Sequence, residues 1–225
     1  MKAMVLAAGR GERMRPLSDA VPKPLLEAGG KPLLAWHLER LAAAGFREVV
    51  VNVAHLADRI VARFGSGAEY GLAIAWSREP EPLETAGGIA AARALLGDAP
   101  FALVNADVFA DYDYGRLRRV ALGEDLAHLV LVPNPPHHPQ GDFSLAGERL
   151  GLAAAPRYTY AGIAVLAPRI VAGIAAGTRA PLGPLLRAAA ARGAASGEVH
   201  RGFWCDAGTP ERLAALQARL RERNA

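Results

Sequence analysis

The residues best suited to chemistry lie near the start of the chain, where Gly9 and Gly11 alternate with Arg10, Arg13 and Arg15. Glycines let backbone N–H groups approach phosphate oxygens because no Cβ intervenes. Arginines add bidentate donors, and Lys23 in Pro22-Lys23-Pro24 adds a point charge. No nucleophile stands among them, so the stretch reads as a polyphosphate clamp. Further along, Asp107 follows Phe101-Ala102-Leu103-Val104-Asn105-Ala106, and Asp206 follows Phe203-Trp204-Cys205. Two carboxylates at strand exits can share one Mg²⁺ through hard oxygen ligands while phosphates and water fill its remaining positions.

Positioning these groups requires a parallel sheet. Residues 3–8 are an uncharged apolar run, as expected of a strand buried on both faces, and residues 48–53 and 101–104 repeat the pattern. A further strand is expected at 72–76. Between the strands, residues 32–44, 56–64 and 85–96 have helical spacing. Such alternation predicts an α/β fold with a doubly wound, mostly parallel sheet whose ligands lie at the carboxyl ends of its strands. The second half is less regular. Strands are expected at 127–132, 158–166 and 199–204, a hairpin over 142–152, and helices over 170–175, 182–191 and 211–221. One domain spanning 1–225 is expected, with a β-rich insertion at roughly 133–160 and no appended C-terminal domain.

The composition narrows the partners. With 52% hydrophobic and 21% charged residues over 225 positions, the chain is that of an ordinary globular protein. Its lysines are Lys2, Lys23 and Lys31, so the net charge of +4 is an arginine charge spread along the chain. No basic run with interleaved aromatics argues for nucleic acid, and no apolar run is long enough for a membrane span. A single cysteine, Cys205, leaves no intramolecular disulfide and no thiolate metal site. The expected setting is the cytoplasm, with small-molecule partners and a monomer or small homo-oligomer.

Two familiar phosphate loops fail at the same position. A dinucleotide fingerprint G-x-G-x-x-G needs glycine where Met14 stands, and G-x-x-x-x-G-K-[ST] needs Gly-Lys where Met14-Arg15 stands. The run Leu6-Ala7-Ala8-Gly9-Arg10-Gly11-Glu12-Arg13 followed by Pro22-Lys23-Pro24 instead resembles the signature of the sugar-1-phosphate nucleotidyltransferase family. Asp107 and Trp204-Cys205-Asp206-Ala207-Gly208-Thr209 match two further family positions. Glu79 to Gly88 resembles the segment bordering the base, although Glu84 stands where glycine is commoner. Within the family, residues 132–143 and Pro82-Leu83-Glu84-Thr85 resemble the short N-acetylmuramate-α-1-phosphate uridylyltransferases of bacterial cell-wall recycling.

The resemblance implies a Rossmann-like nucleotidyltransferase fold in which a sugar 1-phosphate attacks the α-phosphorus of UTP and releases pyrophosphate. It implies Mg²⁺ on Asp107 and Asp206, with Arg13 and Lys23 joining them as catalytic residues. Nucleotide contacts would come from Ala8, Gly9, Gly11, Glu12, Arg13, Lys23, Glu79, Gly87 and Asn105, and sugar-phosphate contacts from Ala106, Asp142 and Asp206. No general base is needed, because a phosphate monoester is already mostly dianionic at neutral pH. Mannose- or glucose-1-phosphate nucleotidyl transfer, or an inactive fold that senses nucleotide sugars, remain the alternatives.

Overall fold

The structure, a computed structural model, describes residues 1–153 and 155–224. Its frame is a nine-stranded sheet. Four strands form the amino-terminal half: β1 (Ala3–Leu6), β4 (Glu48–Val53), β5 (Ala73–Arg78) and β6 (Phe101–Asn105). They pair in parallel in the order β5-β4-β1-β6. Two short pairs lie off this sheet, β2 (Glu27–Ala28) with β3 (Lys31–Pro32), and β7 (Val108–Ala110) with β13 (Trp204–Asp206).

The other half continues as β11-β8-β12-β10-β9, from β8 (Ala127–Val132), β9 (Phe143–Ala146), β10 (Arg149–Gly151), β11 (Arg157–Leu166) and β12 (Ala195–Val199). Only β8 and β12 pair in parallel here; the other contacts are antiparallel. The hairpin expected over 142–152 is β9–β10, and it also pairs with the start of β11. β11 therefore joins both halves. Its residues 163–166 pair with β6 and residues 157–158 with β9, with a register shift between Tyr160 and Ala164.

α1 (Leu17–Ala20) is a single turn; later helices cover both faces of the sheet, which is why β1 has no polar residue. Ala3 and Val5 join the cluster under α2 (Leu33–Ala43) and α3 (Ala57–Phe64). Met4 points the other way, into the cluster with Ile89 of α4 (Glu84–Ala91), Leu96 of α5 (Arg93–Leu96) and Leu186 of α6 (Gly183–Ala191). This is the period-two alternation of a strand with two dry faces. A third cluster seats α7 (Pro210–Asn224) through Leu213, Leu216 and Leu220 against β2 and Phe109.

Local details depart from the sequence expectations. The helix expected at 85–96 is broken at Ala92 into α4 and α5. The helix expected at 170–175 is a 3-10 turn, Pro168–Val171, and Gly173 and Gly177 follow it. The strand expected at 199–204 divides between the end of β12 and β13, which belong to different sheets. Among the described residues, no helix is long and apolar enough to cross a membrane.

Candidate active site

A cleft of about 730 Å³ opens at the carboxyl ends of β1 and β6. Its floor is Leu6, Ala7, Ala8, Asn105, Ala106 and Asp107, and one wall is residues 9–13 with Lys23. The turn at that wall depends on Gly11, which has φ +65 and accepts at its carbonyl from Met14 N–H (2.8 Å) and the Ser18 hydroxyl (2.7 Å). A Cβ there would meet Ser18 Cβ at 3.2 Å in a left-handed backbone. A Cβ at Gly9, by contrast, would meet no protein atom within 4 Å, so packing does not require that residue to be bare. Arg10 and Arg13 are exposed on the cleft wall, whereas Arg15 turns away to pair with Asp19 at 3.1 Å.

Lys23 reaches across to Asp107, with Nζ donating to Oδ2 at 2.6 Å. The two carboxylates singled out in the sequence come together through β7 and β13. Asp206 is in register with Val108, and Ala207 N–H donates to the Asp107 carbonyl at 2.7 Å. Asp206 Oδ2 lies 3.3 Å from Arg212 Nη1. Its Oδ1 is buried and makes no hydrogen bond; His137 Nε2 stands 3.3 Å away, outside hydrogen-bonding geometry. A buried carboxylate oxygen without a donor suits a cation and is otherwise costly.

Three expected site residues lie elsewhere. Glu79 is 5% exposed and faces inward, its Oε1 accepting from Asn52 Nδ2 (2.7 Å) and its Oε2 from Leu83 N–H (2.9 Å). Asn52, which the sequence reading passed over, lines the cleft and accepts from Ala7 N–H at 2.8 Å. Gly87 spends its N–H on the Ala180 carbonyl, and a Cβ there would sit 2.2 Å from Thr178 O, so its smallness is a packing requirement. Asp142 ties down the end of the Pro-rich loop: its Oδ2 accepts from Tyr160 N–H (2.8 Å), and its Oδ1 lies 3.1 Å from His138 Nε2. The remaining expected residues, Ala8, Gly9, Gly11, Glu12, Arg13, Lys23, Asn105, Ala106 and Asp107, line the cleft, and Asp206 adjoins it beside the lining Gly208.

The far wall takes Glu81, Pro82, Glu84 and Thr85 from the 79–88 segment singled out in the sequence, and Arg179, which sequence reasoning missed. Arg179 had no local signal, because it lies in an irregular segment distant in sequence from every motif.

Two titratable groups near the cleft stay neutral. His37 lies behind the Asp107 loop, wholly buried, with Nδ1 2.9 Å from the Tyr114 hydroxyl. Burial, reinforced by Arg40, lowers its pKa to about 4, so it stays neutral. Burial and then the charge of Asp206 raise the Cys205 thiol to about 11, which leaves it protonated. The cleft thus presents cations (Arg10, Arg13, Lys23, Arg179) and carboxylates (Glu12, Glu81, Glu84, Asp107) beside two groups that stay neutral.

Comparison with known proteins agrees with this geometry. A family model described as nucleotidyl transferase matches residues 2–145. A relative from Neisseria meningitidis named N-acetylmuramate alpha-1-phosphate uridylyltransferase is 50% identical over 225 residues, covering 97% of both chains. One of the same name from Caulobacter vibrioides is 34% identical over 235 residues, covering 98% of this chain and 97% of its own. A solved structure described as a glucose-1-phosphate thymidylyltransferase from Bacillus anthracis superposes with a TM-score of 0.86 at 19% identity. It covers 99% of this chain and 96% of its own, and at that identity the likeness is one of fold.

Proposed function

Because the chain belongs to the nucleotidyl transferase family, we propose that it transfers UMP from UTP to N-acetylmuramate α-1-phosphate, releasing pyrophosphate, in the cytoplasmic recycling of peptidoglycan. The observation that carries this is one cleft lined by a bare glycine loop, the cations Arg10, Arg13 and Lys23, and Asp107, with Asp206 brought beside it by the β7–β13 pairing. The choice of sugar and base is supported by the relative that is half identical over nearly its whole length.

In this reading residues 9–13 take the triphosphate. Backbone N–H groups beside Gly9 face its oxygens, and Arg13 meets charge that grows on the departing pyrophosphate. Lys23 now neutralises Asp107 and turns to phosphate when the nucleotide enters. Asp107 and Asp206 would hold a divalent ion, Mg²⁺ by their hard oxygen chemistry, and Asp206 Oδ1, which makes no hydrogen bond and has His137 Nε2 3.3 Å away, is the atom that fits it. When bound, such an ion supplies positive charge to neutralise the reacting phosphates. Asn105 and Ala106 at the end of β6 face the nucleotide and sugar phosphate between these groups. The incoming phosphate is its own nucleophile, so the chain contributes alignment and charge, which fits a cleft behind which His37 and Cys205 stay neutral.

A matrix of the four nucleoside triphosphates against N-acetylmuramate, N-acetylglucosamine, glucose and mannose 1-phosphates, read by pyrophosphate release, tests the proposal. UTP with the muramate substrate should give the highest kcat/KM. Equal or better use of mannose or glucose 1-phosphate would overturn the sugar assignment and leave nucleotidyl transfer standing.

A further inference from the structure

The far wall of the cleft carries a contact that the transfer chemistry does not use. Glu84, the first residue of α4, has φ +59, a left-handed conformation that side-chain-bearing residues rarely adopt. Its Oε1 accepts a hydrogen bond from Arg179 Nε at 2.8 Å, although the two are 95 residues apart in sequence. Both side chains line the cleft. The segment bearing Arg179 is fixed there by its backbone. Ala180 N–H donates to the Leu83 carbonyl at 3.0 Å, and the Ala180 carbonyl accepts from Ala86 and Gly87 at 2.9 and 3.1 Å.

Stability does not account for this arrangement. The pair is exposed, 73% on the arginine side and 37% on the glutamate side, and exposed ion pairs return less than a left-handed residue costs. Strain kept without a stabilising return points to the ligand site on which it borders. An unpaired carboxylate at Glu84 would also repel a polyanion entering between it and the glycine loop.

We propose that Arg179 is a positioning residue for the nucleotide: it ties back and neutralises Glu84, so that a turn usually made by glycine can stand in the wall without repelling a nucleoside triphosphate. This rests on the cleft being the nucleotide site, as proposed above. Arg179 itself need not touch the nucleotide.

The test is UTP affinity by calorimetry without sugar phosphate, so that no turnover enters the measurement. Arg179→Ala, and equally Arg179→Gln, should weaken binding about tenfold at low salt, with the loss shrinking as salt screens the freed carboxylate. Adding Glu84→Gly to Arg179→Ala should return affinity to within about threefold of wild type, a coupling between the two sites that independent losses would not show. If the double variant stays as weak as Arg179→Ala, Arg179 grips the nucleotide directly and the proposal is wrong. Unchanged affinity in folded Arg179→Ala and Arg179→Gln also overturns it. Wild type that binds another nucleoside triphosphate in preference to UTP corrects the base while the same variants read the clasp with that nucleotide. Wild type that binds none of the four overturns both readings.

Discussion

Replacing Asn52 with leucine should cost the fold more than any substitution on the cleft surface. The Asn52 side chain is 2% exposed and joins the exit of β1 to the far wall, accepting from Ala7 N–H at 2.8 Å and donating to Glu79 Oε1 at 2.7 Å. Leucine has nearly the same volume but makes neither bond. It leaves a buried N–H unsatisfied, at about 1–3 kcal/mol, and removes a bond to an ionised group, at about 1.5–3 kcal/mol. Some relief comes from leucine's apolar surface, so a net loss of roughly 2–5 kcal/mol is expected. For a chain of this length each kcal/mol moves Tm by about 2–4 °C, so the melt should fall by roughly 4–20 °C. Asn52→Asp keeps an acceptor for Ala7 but sets a carboxylate against Glu79, and should be no better. Thermal and urea unfolding measure both. A loss under about 1 kcal/mol in Asn52→Leu would refute the role given to this network.

Asp107→Asn and Asp206→Asn should each lower kcat by roughly 10²-fold or more, with the double variant little worse than either single, because one lost carboxylate already dismantles a shared site. Chelation by EDTA should abolish pyrophosphate release and Mg²⁺ restore it; turnover that survives chelation would remove the metal from the account. Arg13→Ala should lose roughly 10²-fold in kcat, the scale for one preorganised electrostatic group, and a change confined to KM would make it a uniform binder instead. For His37, the folded pKa of about 4 lies below the ordinary histidine value of 6.5, so its contribution is complete above pH 6.5 and is lost as pH falls towards 4. The loss is on the order of 3 kcal/mol, and His37→Gln should flatten that limb of the urea-derived stability profile; an unchanged slope would assign the acid sensitivity elsewhere.

Residue type and order alone marked out the glycine and arginine loop that proves to line the cleft, because it directly follows a buried strand. They also disclosed Asp107 and Asp206, which the β7–β13 pairing brings together from opposite ends of the chain. Glu79 was misread for a physical reason. A carboxylate beside a cleft faces a ligand or the scaffold according to which donors the distant chain brings, and here Asn52 and Leu83 N–H claim it. Gly87 looked like a place for a ligand, yet the neighbour that needs the space is the Thr178 carbonyl. Asp142 was correctly placed at the start of a hairpin, but its side chain serves the turn. The helix expected at 170–175 rested on apolar spacing alone, which cannot distinguish a helix from an irregular segment packed through Ile170 and Val171.

The closure of β9 onto β11 decides how this molecule can meet others. A sheet ends in rows of unpaired backbone groups, and these are where a second chain adds as an extra strand or where aggregation begins. On the β9 side the pairing with the start of β11 uses part of that row within the chain. At the opposite end β5 is bonded to β4 on one side only, yet Ile74 N–H donates to the Ser66 carbonyl at 2.8 Å and the Trp76 indole to the Gly65 carbonyl at 2.8 Å. Both flanks are thus partly occupied by the chain itself. Copies that associate should therefore do so through helix faces and loops, which leaves the carboxyl ends of β1 and β6 free to face substrate.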